Sequence, residues 1–399
     1  MSMFSSLSTL TLARAAILHN APVYVQFYIT ARCNLTCNQC NIIYANSDVR
    51  ECTLDEVQRI ADNFAGMGVA MVLLTGGEPF ARTDLHQIIH AFESRGVHVR
   101  MQTNGLASTE RIQQVIESGG RDISISLDSL TPSRQDDING GFEKTWEDAV
   151  RAIADFTRLL PATKSFASLG CVLQRDNIGD VEDVIRFGTA IGWFTSLVPV
   201  HVSTLDKPMG FRTFDQSKRW KEEEIPHVTR LIERVRSMRR EGYLLYDSDQ
   251  YLDDILRFVA EKPTTWRSRN GGVCDSPNLY FAVLPNGDFA PCCDFRLRSG
   301  AVSTFAPDFP QTYWSRAFRQ RVHDVTSRCG GCMYGSYPEM TIAMRYLAAK
   351  WDRVKLFLAK PPKKPWPLSL EEILATAERI RTEPRERITL GEPPLVAVN

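Results

Sequence analysis

The stretch that decides the reading is Cys33-Asn34-Leu35-Thr36-Cys37-Asn38-Gln39-Cys40, which follows the apolar run Tyr24–Thr30. That run has the length and the aromatic and β-branched content of a buried strand. The loop after it places three thiols close together. Three such thiolates can hold three corners of a four-iron cube and leave the fourth iron without a protein ligand. An open iron binds a substrate, whereas a fully ligated cluster only passes electrons. Structural zinc is the competing reading of this spacing.

Working outward, further apolar runs read as strands at Ala70–Thr75, Val97–Gln102, Asp122–Leu127, Ser165–Leu173 and Ser196–Val202. Thr53-Leu54-Asp55-Glu56 is a capping box that opens a helix ending near Gly66–Gly68. Asp84–Ser94 reads as a helix stopped by Gly96, and Thr145–Leu160 and Asp180–Ile191 continue the pattern. Repeated βα units imply an α/β fold with a parallel sheet, here a partial or full barrel, with chemistry at the C-terminal ends of its strands. Residues 204–218 read as a loop, and Pro226–Glu241 and Asp249–Glu261 as helices. Over 265–335 helical periodicity stops and Gly, Pro and Cys become frequent. Within it Leu279–Leu284 and Asp288–Pro291 flank an Asn286-Gly287 turn, a hairpin signal. Met340–Ala359 and Ser369–Arg381 read as helices around a stiff Pro361–Pro367 segment.

Composition narrows the classes. The chain has 399 residues with 43% hydrophobic and 24% charged content, which is ordinary for a globular protein of two or three domains. Lys plus Arg equals Asp plus Glu at 47 each, so no global charge points to nucleic acid. No apolar run is long enough for a spanning helix. Residues 1–20 carry Arg14 and several Ser and Thr, a faintly transit-peptide-like composition, or else a short helix over 5–19. Ten cysteines are too few for a disulfide scaffold, and their CxxC-type clustering reads as metal or iron–sulfur ligation in a reducing, cytoplasmic setting. Cys52 and Cys171 stand alone and read as small buried apolar residues.

Three motifs together resemble the radical S-adenosylmethionine (SAM) enzymes: CxxxCxxC after strand one, Thr75-Gly76-Gly77-Glu78-Pro79 after strand two, and Thr103-Asn104-Gly105 closing strand three. The resemblance covers residues 22–205 closely. It implies a partial (β/α)6 TIM-type barrel, and a four-iron cluster on Cys33, Cys37 and Cys40 whose open iron is chelated by SAM. It further implies reductive cleavage of SAM to a 5′-deoxyadenosyl radical that abstracts hydrogen from a substrate. Gly76, Gly77, Glu78, Asn104, Ser126, Asp128 and Arg175, with Asn177, are the SAM contacts it implies. The family often has an aromatic residue before the third cysteine, near the adenine, and here that position is Gln39.

Cys274 and Cys292 bracket the hairpin as C-x12-G-x4-C, and Cys329-Gly330-Gly331-Cys332 follows. This resembles the SPASM and twitch extensions of the family, small cysteine-rich α+β domains with auxiliary four-iron clusters. The resemblance implies a single second cluster on Cys274, Cys292, Cys329 and Cys332. Cys293 in place of Cys292, and a zinc ribbon in place of the cluster, remain alternatives.

The expected organisation is an N-terminal extension (1–21), barrel (22–215), helical connector (216–264), twitch-like domain (265–338) and helical tail (339–399). The expected activity is oxidation of a non-peptide small molecule (tetrapyrrole, lipid or aminocyclitol), since little chain precedes Cys33 to recognise a peptide. Flavodoxin or ferredoxin is the expected electron donor, with peripheral membrane contact by the basic, Trp-containing tail as a side possibility. Maturation of a ribosomal peptide and a non-catalytic metal or electron carrier are the alternatives.

Overall fold

The computed structural model describes residues 22–40, 50–201, 216–266, 274–293, 295–297, 300–327, 329, 331–334, 336–358 and 364–390. The helix expected over 5–19, most of the loop 204–218 and residues 359–363 lie outside these.

Six strands pair in parallel in chain order: β1 Tyr24–Thr30, β2 Met71–Gly76, β3 His98–Thr103, β4 Asp122–Ser126, β5 Phe166–Leu173 and β6 Phe194–Pro199. The sheet continues past β1 through β7 Tyr280–Val283, parallel to β1, and β8 Phe289–Ala290, antiparallel to β7. The order is β6-β5-β4-β3-β2-β1-β7-β8, an open, partial barrel. The cysteine-rich hairpin therefore adds its strands to the barrel's own sheet.

Side chains alternate between two faces with period two. Val25, Phe27, Ile29, Val72, Leu74, Val99, Met101, Ile123 and Ile125 join one buried apolar core with the helices Leu54–Met67, Leu85–Glu93 and Thr145–Leu159. The other face is largely polar, with Gln102 paired to Ser124 and Ser124 to Ser168, and with Ser126 paired to Gly170 and Gly170 to Ser196. Gln102 is exposed although β3 lies well inside the sheet, so this face lines a solvent-reached chamber. A Cβ at Gly170 would stand 3.5 Å from Ser124 Oγ and 3.9 Å from Gln102 Nε2, so the glycine keeps room there.

The capping box forms as read: Thr53 accepts from Glu56 N, Glu56 reaches back to Thr53 N, and Gly68 closes the helix in the left-handed region. Two expectations need correction, and two helices were missed. Residues 265–335 are not free of helix, because Phe309–Trp314 and Arg316–Thr326 are helical, the latter capped by Ser315. The helix expected over Met340–Ala359 is two, Ser336–Arg345 and Leu347–Leu358. Helices Thr109–Glu117 and Pro132–Ile138 went unread because each is short, with three and two buried side chains respectively.

Candidate active site

The cysteine loop is fastened before any ligand is considered. Leu35 is its buried anchor. Asn38 donates from N to Ile138 O at 2.9 Å and from Nδ2 to Asp137 O at 2.8 Å. Gly140 lies at φ +97°, and a Cβ there would press on the Thr36 carbonyl, so glycine is what lets this segment close on the loop. The three thiols then lie near enough to influence one another. Burial pushes the Cys33 thiol up to about 11, and Glu78 and Cys40 add to it. Cys37 is raised further, by burial first and then by Cys40, Asp128 and Cys33. Thiolates that repel one another in this way form a site that binding of a cation would relieve.

The two glycines after β2 are needed by the protein backbone itself. A Cβ on Gly76 would overlap the Thr30 carbonyl, and one on Gly77 the Arg32 carbonyl. In their place Gly77 N donates to Thr30 O and Glu78 N to Arg32 O, both at 2.8 Å, welding this turn to the start of the cysteine loop. Glu78 is 1% exposed, and its carboxylate accepts from Thr103 Oγ1 (2.7 Å), Asn104 N (2.8 Å) and Phe80 N (2.9 Å). Burial raises its pKa to about 7, against those hydrogen bonds. Asn104 in turn donates from Nδ2 to Asn34 Oδ1 at 2.7 Å, next to Cys33. The three motifs thus form one hydrogen-bonded unit at the C-terminal ends of β1, β2 and β3.

Asp128 extends that unit to β4 and β5. Its Oδ2 accepts from Gln39 Nε2 at 2.8 Å and its Oδ1 from Val172 N at 2.6 Å, and burial raises its pKa to about 7. Asn177 donates to Asp128 O (2.9 Å) and Val172 O (2.8 Å) and so braces the same corner. Ser126 is partly exposed at the end of β4, on the chamber side. Arg175 points elsewhere: it grips Glu224 Oε1 through Nε (2.9 Å) and a terminal nitrogen (2.7 Å).

The second cysteine group also converges. Burial pushes Cys274 up to about 12, with Cys292 the next largest cause and Cys329 another. Cys332 is raised by burial and then by Cys329, Cys292 and Cys274. Its main chain is clamped, because Trp266 Nε1 donates to Cys332 O at 2.8 Å and Met333 N to His201 Nε2 at 3.0 Å. His201 Nδ1 donates to Pro199 O at 2.6 Å, which fixes a neutral tautomer at the end of β6. Cys293 instead lies in a buried cluster with Tyr24, Tyr28, Tyr280 and Tyr337. Cys52 and Cys171 are buried, as read. Among the described residues no three His, Cys, Asp or Glu side chains gather as a single ion requires. All-thiol groups of three and four suit iron–sulfur clusters, in which each thiolate holds its own iron. The residues present therefore fit the expected groups.

Comparison with known proteins agrees with this geometry. Residues 27–188 match the Radical SAM superfamily. That region of the chain belongs to the superfamily. Within this radical SAM chain, 121 residues are 37% identical to a GTP 3′,8-cyclase of Tolumonas auensis, over 29% of this chain and 36% of that protein. A PqqA peptide cyclase of Ruegeria pomeroyi is 30% identical over 43% of this chain and 45% of its own. The match thus spans less than half the length of these two curated relatives. An AdoMet-dependent heme synthase of Nitratidesulfovibrio vulgaris is 24% identical over 78% of this chain and 84% of its own. In fold the radical SAM chain is similar to Streptococcus suis SuiB bound to S-adenosylmethionine, with a TM-score of 0.58 and 15% identity over 79% of this chain and 71% of that one. No helix of the described residues is long and apolar enough to cross a membrane.

Proposed function

We propose that this radical SAM enzyme is an oxidoreductase acting on a non-peptide small molecule, with a tetrapyrrole the leading candidate. It would hold a SAM-binding four-iron cluster on Cys33, Cys37 and Cys40, and an auxiliary four-iron cluster on Cys274, Cys292, Cys329 and Cys332. When bound, the first cluster and SAM supply a one-electron cleavage that delivers a hydrogen-abstracting radical.

The observation that carries the reading is the placement of Tyr334, whose hydroxyl is raised by burial and then by Cys293 and Cys40. This half-buried side chain, two residues after Cys332, is thus also within electrostatic reach of Cys40 in the first cysteine group. An electron acceptor on the second cysteine group would suit a substrate radical that must lose an electron, and hence a net oxidation. The chain's own groups do the rest. Glu78, Thr103 and Asn104 fix the three strand ends, Asp128 and Gln39 hold the loop against β4, and Gln102, Ser124 and Ser126 line the chamber. The heme synthase likeness over most of the chain supports a small-molecule substrate. The likeness to a peptide cyclase at 30% identity favours a second reading, modification of a ribosomal peptide.

The electron would come from a flavodoxin or ferredoxin in the cytoplasm. Anaerobic reconstitution followed by SAM cleavage under reductant, with tetrapyrrole precursors and then short peptides as additives, tests the reading. Substrate-dependent formation of 5′-deoxyadenosine with a tetrapyrrole supports it, and formation with peptides alone replaces it by the second.

A further inference from the structure

The inner face of the sheet carries a stack of tyrosines that the chemistry above leaves unused. The Tyr280 and Tyr337 rings stack at 4.5 Å between centroids and 26° between planes. Tyr24 of β1 meets Tyr337 edge-on at 6.1 Å. Cys293 belongs to the same buried cluster, and Cys274 and Cys292 pack against it. The Tyr280 hydroxyl is occupied: it accepts from Asp275 N at 3.1 Å and pairs with Thr341 Oγ1 at 3.3 Å. The Tyr337 hydroxyl is not. Its side chain is 2% exposed, and the oxygen has no hydrogen-bond partner among the described residues. Cys293 lies beside it in the same buried cluster, with Cys292 packed against that cluster.

A buried phenol without an acceptor is costly, and native structures rarely leave one so. Besides the Cys293 thiol, the acceptor nearest to hand is what Cys274 and Cys292 hold, since both pack against this cluster. We propose that Tyr337 donates a hydrogen bond to a sulfur of the four-iron centre on Cys274, Cys292, Cys329 and Cys332, at its Cys292 edge, and so raises the reduction potential of that centre. This rests on the reading of those four cysteines as ligands of a second cluster. Reduction adds negative charge that falls largely on the sulfurs, so a donor aimed at one of them favours the reduced state. Hydrogen bonds to sulfur are among the levers that set cluster potentials. A centre tuned upward in this way is a better acceptor for an electron leaving a substrate radical. Tyr280 differs in that its hydroxyl already meets the Cys274 thiol, Asp275 N and Thr341 Oγ1.

Redox titration of the reconstituted protein, followed by electron paramagnetic resonance, tests this with Tyr337→Phe. That change removes one oxygen and keeps the ring stack. The second cluster is expected to move to a lower midpoint while the first stays put. Its oxidised-to-reduced ratio at fixed potential should rise about tenfold, which is about 59 mV for a one-electron couple. An unmoved midpoint overturns the assignment and leaves the Cys293 thiol as the partner of Tyr337. Should the variant fail to keep its cluster, pulsed resonance on the reduced wild type in D2O decides. An exchangeable deuteron coupled to the second cluster supports the hydrogen bond, and its absence overturns it. Wild-type iron separates the two levels: about four per chain sinks the second cluster itself, whereas about eight with an unmoved midpoint sinks only the role of Tyr337.

Discussion

Gln39 Nε2 donates to Asp128 Oδ2 at 2.8 Å, tying the residue before the third cysteine to the end of the fourth strand. Where the family resemblance implies an aromatic ring, this chain has a hydrogen bond between the cysteine loop and the sheet. Asp128→Ala leaves both the Gln39 amide and the Val172 N–H without an acceptor. It should cost about 1–3 kcal/mol in chemical denaturation and loosen the loop. Asp128→Asn keeps an acceptor for Val172 N, and the Gln39 amide can turn to match it, so the loss should stay under about 1 kcal/mol. Equal losses in the two variants would remove the bond from the account.

Gly77→Ala tests why the glycines follow β2. The added methyl would strike the Arg32 carbonyl, so stability should drop by about 1–3 kcal/mol. Iron retained by the first cysteine group should fall with it, since the turn and the loop share two hydrogen bonds. Normal stability with only weakened SAM binding would show instead that the glycine serves the ligand directly.

Arg175 offers a contrast between motif and structure. Its guanidinium is spent on Glu224, whose side chain is only 9% exposed. Arg175→Ala should destabilise the fold by about 1–3 kcal/mol by stranding that carboxylate. SAM affinity, measured by equilibrium binding to the reconstituted protein, should change by less than about twofold, which is under half a kcal/mol. A tenfold loss of affinity with unchanged stability would restore Arg175 to the SAM site.

Those cases show what the residues alone disclose. The loop cysteines, the glycine pair and Thr103-Asn104-Gly105 are local patterns, and β1 to β5 are dense apolar runs, so both were legible. Partners distant in the chain were not. Nothing near Arg175 announces Glu224, nothing near His201 announces Met333, and the run Leu279–Leu284 does not say that its neighbour is β1. The helices within 309–326 were hidden by the frequent Gly, Pro and Cys around them. The segment 333–338, after the last cysteine, reads as a cover for a cluster or active site, but the place of Tyr337 depends on which rings and thiols surround it.

His201 links the barrel to the second cysteine group. Its ring lies parallel to Phe258 at 4.4 Å while Nε2 takes the Met333 N–H. His201→Phe keeps the stacking and abandons that N–H, a loss of about 1–3 kcal/mol. The segment carrying Cys332 should then be held less firmly, and iron per chain should fall from about eight toward about four on gel filtration. Full iron retention would show that Trp266 alone secures the segment.

Asp247 gives a dependence on pH. It accepts from Ser196 Oγ at 2.8 Å and Leu197 N at 2.7 Å, and faces Glu339, Arg353 and Tyr251. Burial, and then Glu339, raise its pKa from 3.8 to about 7. The folded state therefore holds this proton where the unfolded chain has released it. Its contribution to stability is complete below pH 4 and is lost as pH rises toward 7, by at most about 1.4 kcal/mol per unit. Asp247→Asn should remove that part of the slope in denaturation curves between pH 4 and 7. An identical slope in the variant would place the titration elsewhere.

On this reading the loop of Cys33, Cys37 and Cys40 would leave one iron open to SAM. Electron paramagnetic resonance of the reduced, reconstituted protein with and without SAM tests it most directly, best in a Cys274→Ala, Cys329→Ala, Cys332→Ala variant that keeps only the first group. The account predicts about four iron per chain in that variant, a spectrum that shifts when SAM is added, and formation of 5′-deoxyadenosine. Bound zinc without sulfide, or a cluster whose spectrum ignores SAM, would contradict it.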